Sequence, residues 1–212
     1  MLKIKSFEFS PIQENTYILY NEFNDCIIID PGCYYDDEKD ELLQYINKIG
    51  LTPRMLLNTH CHLDHVFGNK FIADRFGLKL HIHENEKPVL AFAPASGLMY
   101  NLPFDNYNGE LVYLREGEKI KLGSDKLEIL LTPGHSPGSL SFHAEKEKFV
   151  ISGDALFNRS IGRTDLPLGD YDTLIKSIRE KLFSLPDETK VYSGHGPVTT
   201  IGEEKSENPF LN

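Results

Sequence analysis

Basic residues are scarce in this chain: 22 lysines and arginines stand against 32 aspartates and glutamates, a formal net charge of −10. General nucleic-acid binders neutralise phosphates with an excess of lysine and arginine, so no nucleic-acid partner is expected. An anionic small substrate stays open, because bound metal ions make a site locally positive within an acidic protein. No apolar run approaches the roughly 20 residues of a membrane span, so no membrane partner is expected either. The opening stretch, Met1 to Phe7, alternates like a strand and lacks the apolar core of a signal peptide. Cysteine is sparse: Cys26, Cys33 and Cys61 are odd in number and form no staple-like pattern, which fits a reducing compartment. The expected location is the cytoplasm. Repeats, linkers and low-complexity tracts are missing too. What is present is an ordinary globular mixture, 40% hydrophobic and 25% charged. Its 212 residues are expected to form one domain, 1–212, with a full core.

Short β-prone runs open the chain, at 3–9, 16–20 and 26–30, with Pro11 and Asn24-Asp25 at the turns and Pro31-Gly32 as a stop. A helix is expected over 37–49, where Leu42, Leu43, Ile46 and Ile49 share a face and Gly50 ends it. A strand over 54–58 delivers the chain to a histidine cluster. One helix from near Asp64 to Phe76, stopped by Gly77, should follow. Residues 78–83 return as a strand, and 88–103 mix a helical piece with a Pro/Gly-rich loop. Strands are expected at 111–114, 119–122, 126–131, 139–143 and 149–152. A helix over 171–185, a strand over 190–193 and a short helix near 200–207 close the pattern. Two sheets with helices outside both would bury all these faces.

The chemistry lies in four strand ends. Thr59-His60-Cys61-His62-Leu63-Asp64-His65 follows the strand at 54–58. Two histidines one residue apart can converge on one metal as they leave a strand, and Asp64 with His65 could hold a second metal beside it. Pro133-Gly134-His135, Ser152-Gly153-Asp154 and Gly194-His195-Gly196 each place one ligand-type side chain beside glycine after an apolar strand. Glycine lets the backbone turn sharply and pack close to a metal. Strand ends sharing one edge are where an α/β architecture carries its active site.

These residues resemble the metallo-β-lactamase superfamily along nearly the whole chain. The segment Asn158 to Pro167, with Gly162-Arg163-Thr164-Asp165, and the ending Thr199-Thr200-Ile201-Gly202-Glu203 are similar to the small glyoxalase II-type, or hydroxyacylglutathione hydrolase-like, enzymes. The resemblance implies an α/β fold, a four-layer αββα sandwich with metals in a shallow groove on one edge. It implies one metal on His60, His62 and His135, a second on Asp64, His65 and His195, and Asp154 bridging both. Asp64 and Asp154 are then the catalytic carboxylates. Nitrogen and carboxylate donors without a thiolate suit two divalent ions, with zinc first and iron or manganese as alternatives. Charge left over at the metals lowers the pKa of a bound water from 15.7 to about 7, which supplies a nucleophile without serine or cysteine. The implied reaction is thioester hydrolysis of a small-molecule acyl-thiol such as S-D-lactoylglutathione. Full-length glyoxalase II enzymes carry a further C-terminal helical domain with glutathione contacts; this chain ends at Asn212, and a short member without that domain is expected. A rival class of the same fold, the persulfide dioxygenases, shares a related Gly-Arg-Thr-Asp segment and uses a single iron at the His60, His62, His135-type position, with Asp154 as an equivalent.

Some residues invite a larger reading than they bear. Strand alternation points Cys61 away from the metals, into the core. His81 and His83 repeat the histidine spacing, but their flanks lack an aspartate and a glycine turn, so they belong to a strand. His143 falls in a hairpin and is expected at the surface. Thr59 is expected to orient a ligand by a hydrogen bond. Arg163 is expected to face the groove and contact a substrate carboxylate, with a structural Arg163–Asp165 pair as the competing reading. Leu168 stands where the family more often has glycine.

Overall fold

The computed structural model describes residues 1–212. β1 (Lys3–Phe9), β2 (Glu14–Tyr20) and β3 (Asp25–Ile29) form a meander, and α1 (Asp36–Ile49) leads on to β4 (Thr52–Leu57). α2 (Leu63–Val66) and α3 (Asn69–Phe76) precede β5 (Leu80–Ile82). A 3-10 turn (Glu84–Glu86) runs into α4 (Lys87–Met99), and β6 (Leu111–Tyr113) ends the first half. The second half holds β7 (Lys119–Leu122), β8 (Asp125–Leu131), β9 (Leu140–Ala144) and β10 (Phe149–Gly153). A small hairpin of β11 (Leu156–Phe157) and β12 (Ser160–Ile161) follows, then α5 (Tyr171–Ser177), which runs on as a π-helical turn (Ile178–Leu182). β13 (Lys190–Ser193), β14 (Thr199–Thr200) and α6 (Ile201–Glu207) close the chain.

Two six-stranded sheets result, ordered β1-β2-β3-β4-β5-β6 and β14-β13-β10-β9-β8-β7. Alternation along the strands sorts side chains into three cores. Tyr17, Leu19, Ile27, Ile29 and Leu57 point between the sheets and meet Leu127, Ile129, Phe142, Phe149 and Ile151. Their neighbours Ile18, Cys26, Ile28 and Leu56 point outward and pack beneath Leu42 and Ile46 of α1, Ile72 of α3 and Leu90 of α4. On the other sheet Val150 and Val191 face outward against Leu174, Ile178 and Ile201. Helix, sheet, sheet and helix are thus the four layers the sequence implied. Truncating a centre residue such as Phe142 to alanine should cost about 3–5 kcal/mol. No helix is long and apolar enough to cross a membrane.

Two expectations are corrected. The single helix over 64–76 is two, because the Gly68 amide bonds to the Pro31 carbonyl at 2.7 Å. A Cβ on Gly68 would come within 2.7 Å of that same carbonyl oxygen, so only glycine lets the two segments meet. His143 is buried rather than at the surface, because its strand lies in the middle of the second sheet between β8 and β10. In α4, Pro94 has no N–H to offer the Leu90 carbonyl; Asn106 Nδ2 donates to that carbonyl at 2.8 Å instead.

Candidate metal centre

The four strand ends meet. β4 of one sheet delivers His60 and His62, and β8, β10 and β13 of the other deliver His135, Asp154 and His195. Backbone bonds tie the two edges: Leu140 N donates to Thr59 O at 2.8 Å, and Asn15 N donates to Gly194 O at 2.7 Å. All seven side chains expected from the sequence fall in one cluster.

His62 Nδ1 lies 2.8 Å from His135 Nε2, which lies 3.2 Å from His60 Nε2. The opposite ring nitrogens decide what these atoms carry. His135 Nδ1 donates to the Arg163 carbonyl at 2.7 Å, which in the neutral ring leaves the lone pair on Nε2. The Thr59 hydroxyl donates to Asp30 Oδ2 at 2.6 Å, so its oxygen accepts from His60 Nδ1 at 3.1 Å and His60 Nε2 likewise holds a lone pair. The His60 and His135 lone pairs, aimed at one another, repel unless a cation lies between them, and separations of this size suit nitrogens around one metal with bonds of about 2 Å. Burial also keeps His60 well below its usual pKa and pulls His62 down to about 4. Both rings are therefore neutral donors at physiological pH.

The second half is built on charge. His195 Nε2 sits 3.1 Å from Asp64 Oδ2, and His65 Nε2 sits 3.8 Å from it. Asp154 reaches both halves: Oδ1 is 3.4 Å from His65 Nε2, while Oδ2 is 3.5 Å from His135 Nε2 and 3.6 Å from His195 Nε2. His65 Nε2 and Asp154 Oδ1 are buried without hydrogen-bond partners. Burial opposes charge on His65, yet Asp154, Asp64 and Asp30 outweigh it and hold its pKa well above the usual value. The same histidines hold Asp154 well below the usual carboxylate range despite its burial. A positive charge is stable here, as a proton or as a metal ion. Both halves therefore fit divalent cations, His60, His62 and His135 on one side and Asp64, His65 and His195 on the other.

Three supporting residues escaped the sequence reading. Asp30 accepts from Thr59 N at 2.7 Å, Thr59 Oγ1 at 2.6 Å and His65 Nδ1 at 3.0 Å, which orients two of the histidines. The only local signal was an acid directly after β3, with Pro31 between it and Gly32, whereas Asp154 adjoins Gly153. Glu14 lies fully buried beneath it, 3.8 Å from His65 Nδ1, with its pKa raised well above normal, chiefly by burial. Glu86 is buried and accepts from Cys61 N at 2.8 Å, Ser136 Oγ at 2.6 Å and Gly138 N at 2.7 Å. No local motif marks Glu14 or Glu86.

Cys61 is fully buried in the outer core of the first sheet, and burial raises its thiol pKa well above normal. His81 Nδ1 lies 3.1 Å from the Leu56 carbonyl, and the His83 ring caps the 3-10 turn, so neither joins the cluster. Arg163 lines the groove above the cluster, and its guanidinium forks onto Asp165 with two bonds of 2.7 Å. Leu168 has φ 70° in a turn closed by the Gly169 amide on the Leu166 carbonyl at 2.9 Å. Proline second and a left-handed third residue are the type II pattern, which explains the family's glycine. A leucine there carries about 1–2 kcal/mol of strain.

The groove over the cluster encloses about 430 Å³ between Leu63, Tyr100, Phe157 and Arg163. A larger hollow of about 800 Å³, walled by Tyr34, Phe67 and Phe104, contains none of the seven residues, so size alone does not locate the chemistry.

A model of the metallo-β-lactamase superfamily matches residues 10–195. The chain belongs to this superfamily. It is 41% identical to the probable metallo-hydrolase YqgX of Bacillus subtilis over 213 residues, covering 100% of this chain and 98% of that protein. It is 38% identical to the hydroxyacylglutathione hydrolase GloC of Haemophilus influenzae, covering 100% and 99%. Among solved structures, the BLEG-1 B3 metallo-β-lactamase superposes with TM-score 0.91 at 38% identity, covering 99% of this chain and 100% of that one. TTHA1623 in a di-iron-bound form gives 0.88 at 36%, covering 98% and 100%. ETHE1 from Myxococcus xanthus gives 0.80 at 29%, covering 98% and 83%.

Proposed function

We propose that this protein is a two-metal hydrolase of a small-molecule acyl-thiol, S-D-lactoylglutathione or a related thioester. The observation that carries this reading is the pair of adjoining donor sets with Asp154 between them. Likeness over full length to a hydroxyacylglutathione hydrolase supports it. His60, His62 and His135 would hold one ion, and Asp64, His65 and His195 the other, with zinc first and iron or manganese as alternatives. Divalent ions held there would supply hydroxide-forming and carbonyl-polarising chemistry at neutral pH.

The chain's own residues do the rest. Asp30, Thr59 and the Arg163 carbonyl fix which ring nitrogen of His65, His60 and His135 faces inward. The Gln13 carbonyl does the same for His195, accepting from Nδ1 at 3.1 Å. Asp64 and Asp154 offset the positive charge. Leu63, Phe157 and Ile161 form apolar walls that limit water over the reacting carbonyl. Arg163 at the rim is the candidate contact for a substrate carboxylate. Its pair with Asp165 is exposed and weak enough for a carboxylate to compete.

A single-iron persulfide dioxygenase is the second reading, and the likeness to ETHE1 fits it as well. One experiment separates the two: metal content per chain, with turnover on a panel of acyl-thiol esters and on glutathione persulfide. Two metals and ester hydrolysis are expected. One iron with oxygen uptake on the persulfide would replace the first reading with the second. Within the panel, Arg163→Ala is expected to raise KM for the anionic glutathione ester more than for a neutral thioester; equal effects would make Arg163 structural.

A further inference from the structure

The groove has an annex. A smaller cavity of about 110 Å³ adjoins it, and His62, Leu63, Ser96 and Leu166 line both compartments. The two differ in chemistry. The larger holds the seven proposed ligands and Arg163. The annex has no charged side chain in its wall and is bounded by Val89, Phe92, Ala93, Pro167 and Leu168. One face of α4 and the residue that caps its end span both: Phe92 lines the annex, Ser96 the junction and Tyr100 the groove, each four residues from the next.

Two wall residues are costly where they are. Phe92 is 50% exposed and Leu168 61% exposed, so neither is held by burial in a core. Leu168 also keeps a left-handed backbone where glycine would sit without strain. A strained and exposed leucine that closes an apolar cavity beside a reaction centre is a feature to be explained by function.

We propose that the annex is the acyl-chain subsite, and that the preferred substrates are thioesters of short apolar acyl groups of about four carbons. This rests on the hydrolase reading above. The carbonyl must lie over the cluster, and the annex begins at His62, one of the cluster's own residues. A space of 110 Å³ is somewhat smaller than the cavity of about 150 Å³ that accepts benzene, and it suits roughly four methylene-sized groups. A lactoyl hydroxyl would find only Ser96 and the proposed ligand His62 as polar side chains in that wall, whereas each added methylene would be removed from water.

The test uses the metal-loaded protein and N-acetylcysteamine thioesters carrying acetyl, butanoyl, hexanoyl and D-lactoyl groups. Expected is a rise in kcat/KM of about four-fold per methylene from acetyl to butanoyl, no further rise at hexanoyl, and butanoyl above D-lactoyl. Phe92→Ala and Leu168→Gly should flatten that slope. Leu168→Gly should do so without lowering the melting temperature, because it relieves the turn. A second measurement needs no turnover: S-(2-oxopentyl)-N-acetylcysteamine, a methylene-spaced ketone, should shift the methyl resonances of Leu63, Val89 and Leu168 in the parent. Hydrolysis without a chain-length slope, or with D-lactoyl preferred, would overturn the subsite and leave the hydrolase standing. No hydrolysis, with the methyl shifts present in the parent and lost in Phe92→Ala, would overturn the hydrolase and leave the subsite. No hydrolysis and no shifts would overturn both. A Leu168→Gly protein that melts lower and keeps the slope would make Leu168 structural and remove it from the subsite.

Discussion

Glu86 holds Cys61 by its backbone and not by its thiol: Oε2 of the carboxylate accepts from the Cys61 amide at 2.8 Å. Because Cys61 lies between His60 and His62, this bond sets the spacing of both rings. The other oxygen, Oε1, accepts from Ser136 Oγ and Gly138 N beside His135. One buried carboxylate thus ties together the two loops that carry the first donor set. Glu86→Gln cannot keep all three bonds, since its amide nitrogen would face a donor whichever way it turns. Expected is a metal affinity 10–100-fold weaker, with a stability loss of about 1–3 kcal/mol. Competition against a chromophoric chelator checks the first and thermal melting the second. Parent-like affinity would mean the loops are positioned without Glu86.

Asp154→Ala should lower metal content and reduce turnover at least about 100-fold, because one carboxylate faces both halves. Gly194→Ala should produce a similar defect with every proposed ligand intact. A Cβ there would lie 2.0 Å from Asp154 Oδ1 and 2.7 Å from His65 Cε1, so both would be displaced. Metal analysis by mass spectrometry and a turnover assay suffice. Full stoichiometry with full turnover in Asp154→Ala would end the shared-carboxylate assignment.

Cys61→Ala should keep its metals and most of its activity. The thiol points into the outer core of the first sheet and stays protonated, so it is neither donor nor nucleophile. The lost packing should cost about 1 kcal/mol. A variant that binds metal and turns over nothing would place the thiol in the reaction.

Metal binding to the second half should release a proton. His65 is held above its usual pKa, so the metal-free protein carries a proton there that an ion must displace. The metal-free state binds more protons than the loaded one, so affinity at this half rises with pH and falls on acidification. In the first half, His62 does not take up a proton until about pH 4. Calorimetric titrations in buffers of different ionisation enthalpy measure the release directly. A proton count of zero at neutral pH would contradict the charge assigned to His65.

The sequence by itself picked out the seven clustered side chains and most of the element order, and its resemblance to the superfamily implied the four layers. It could do so because ligands at strand ends beside glycine, and alternation along strands, are local patterns. Tertiary structure alone decided the rest. Asp30 and Glu86 act on residues 25–52 positions away, a relation no local pattern carries. The broken helix at Gly68 depends on the Pro31 carbonyl arriving beside it. His143 is buried because strands from both sides cover it. The annex exists only where α4 meets the turn at Leu168, two segments about 80 residues apart whose meeting is a property of packing and not of either segment.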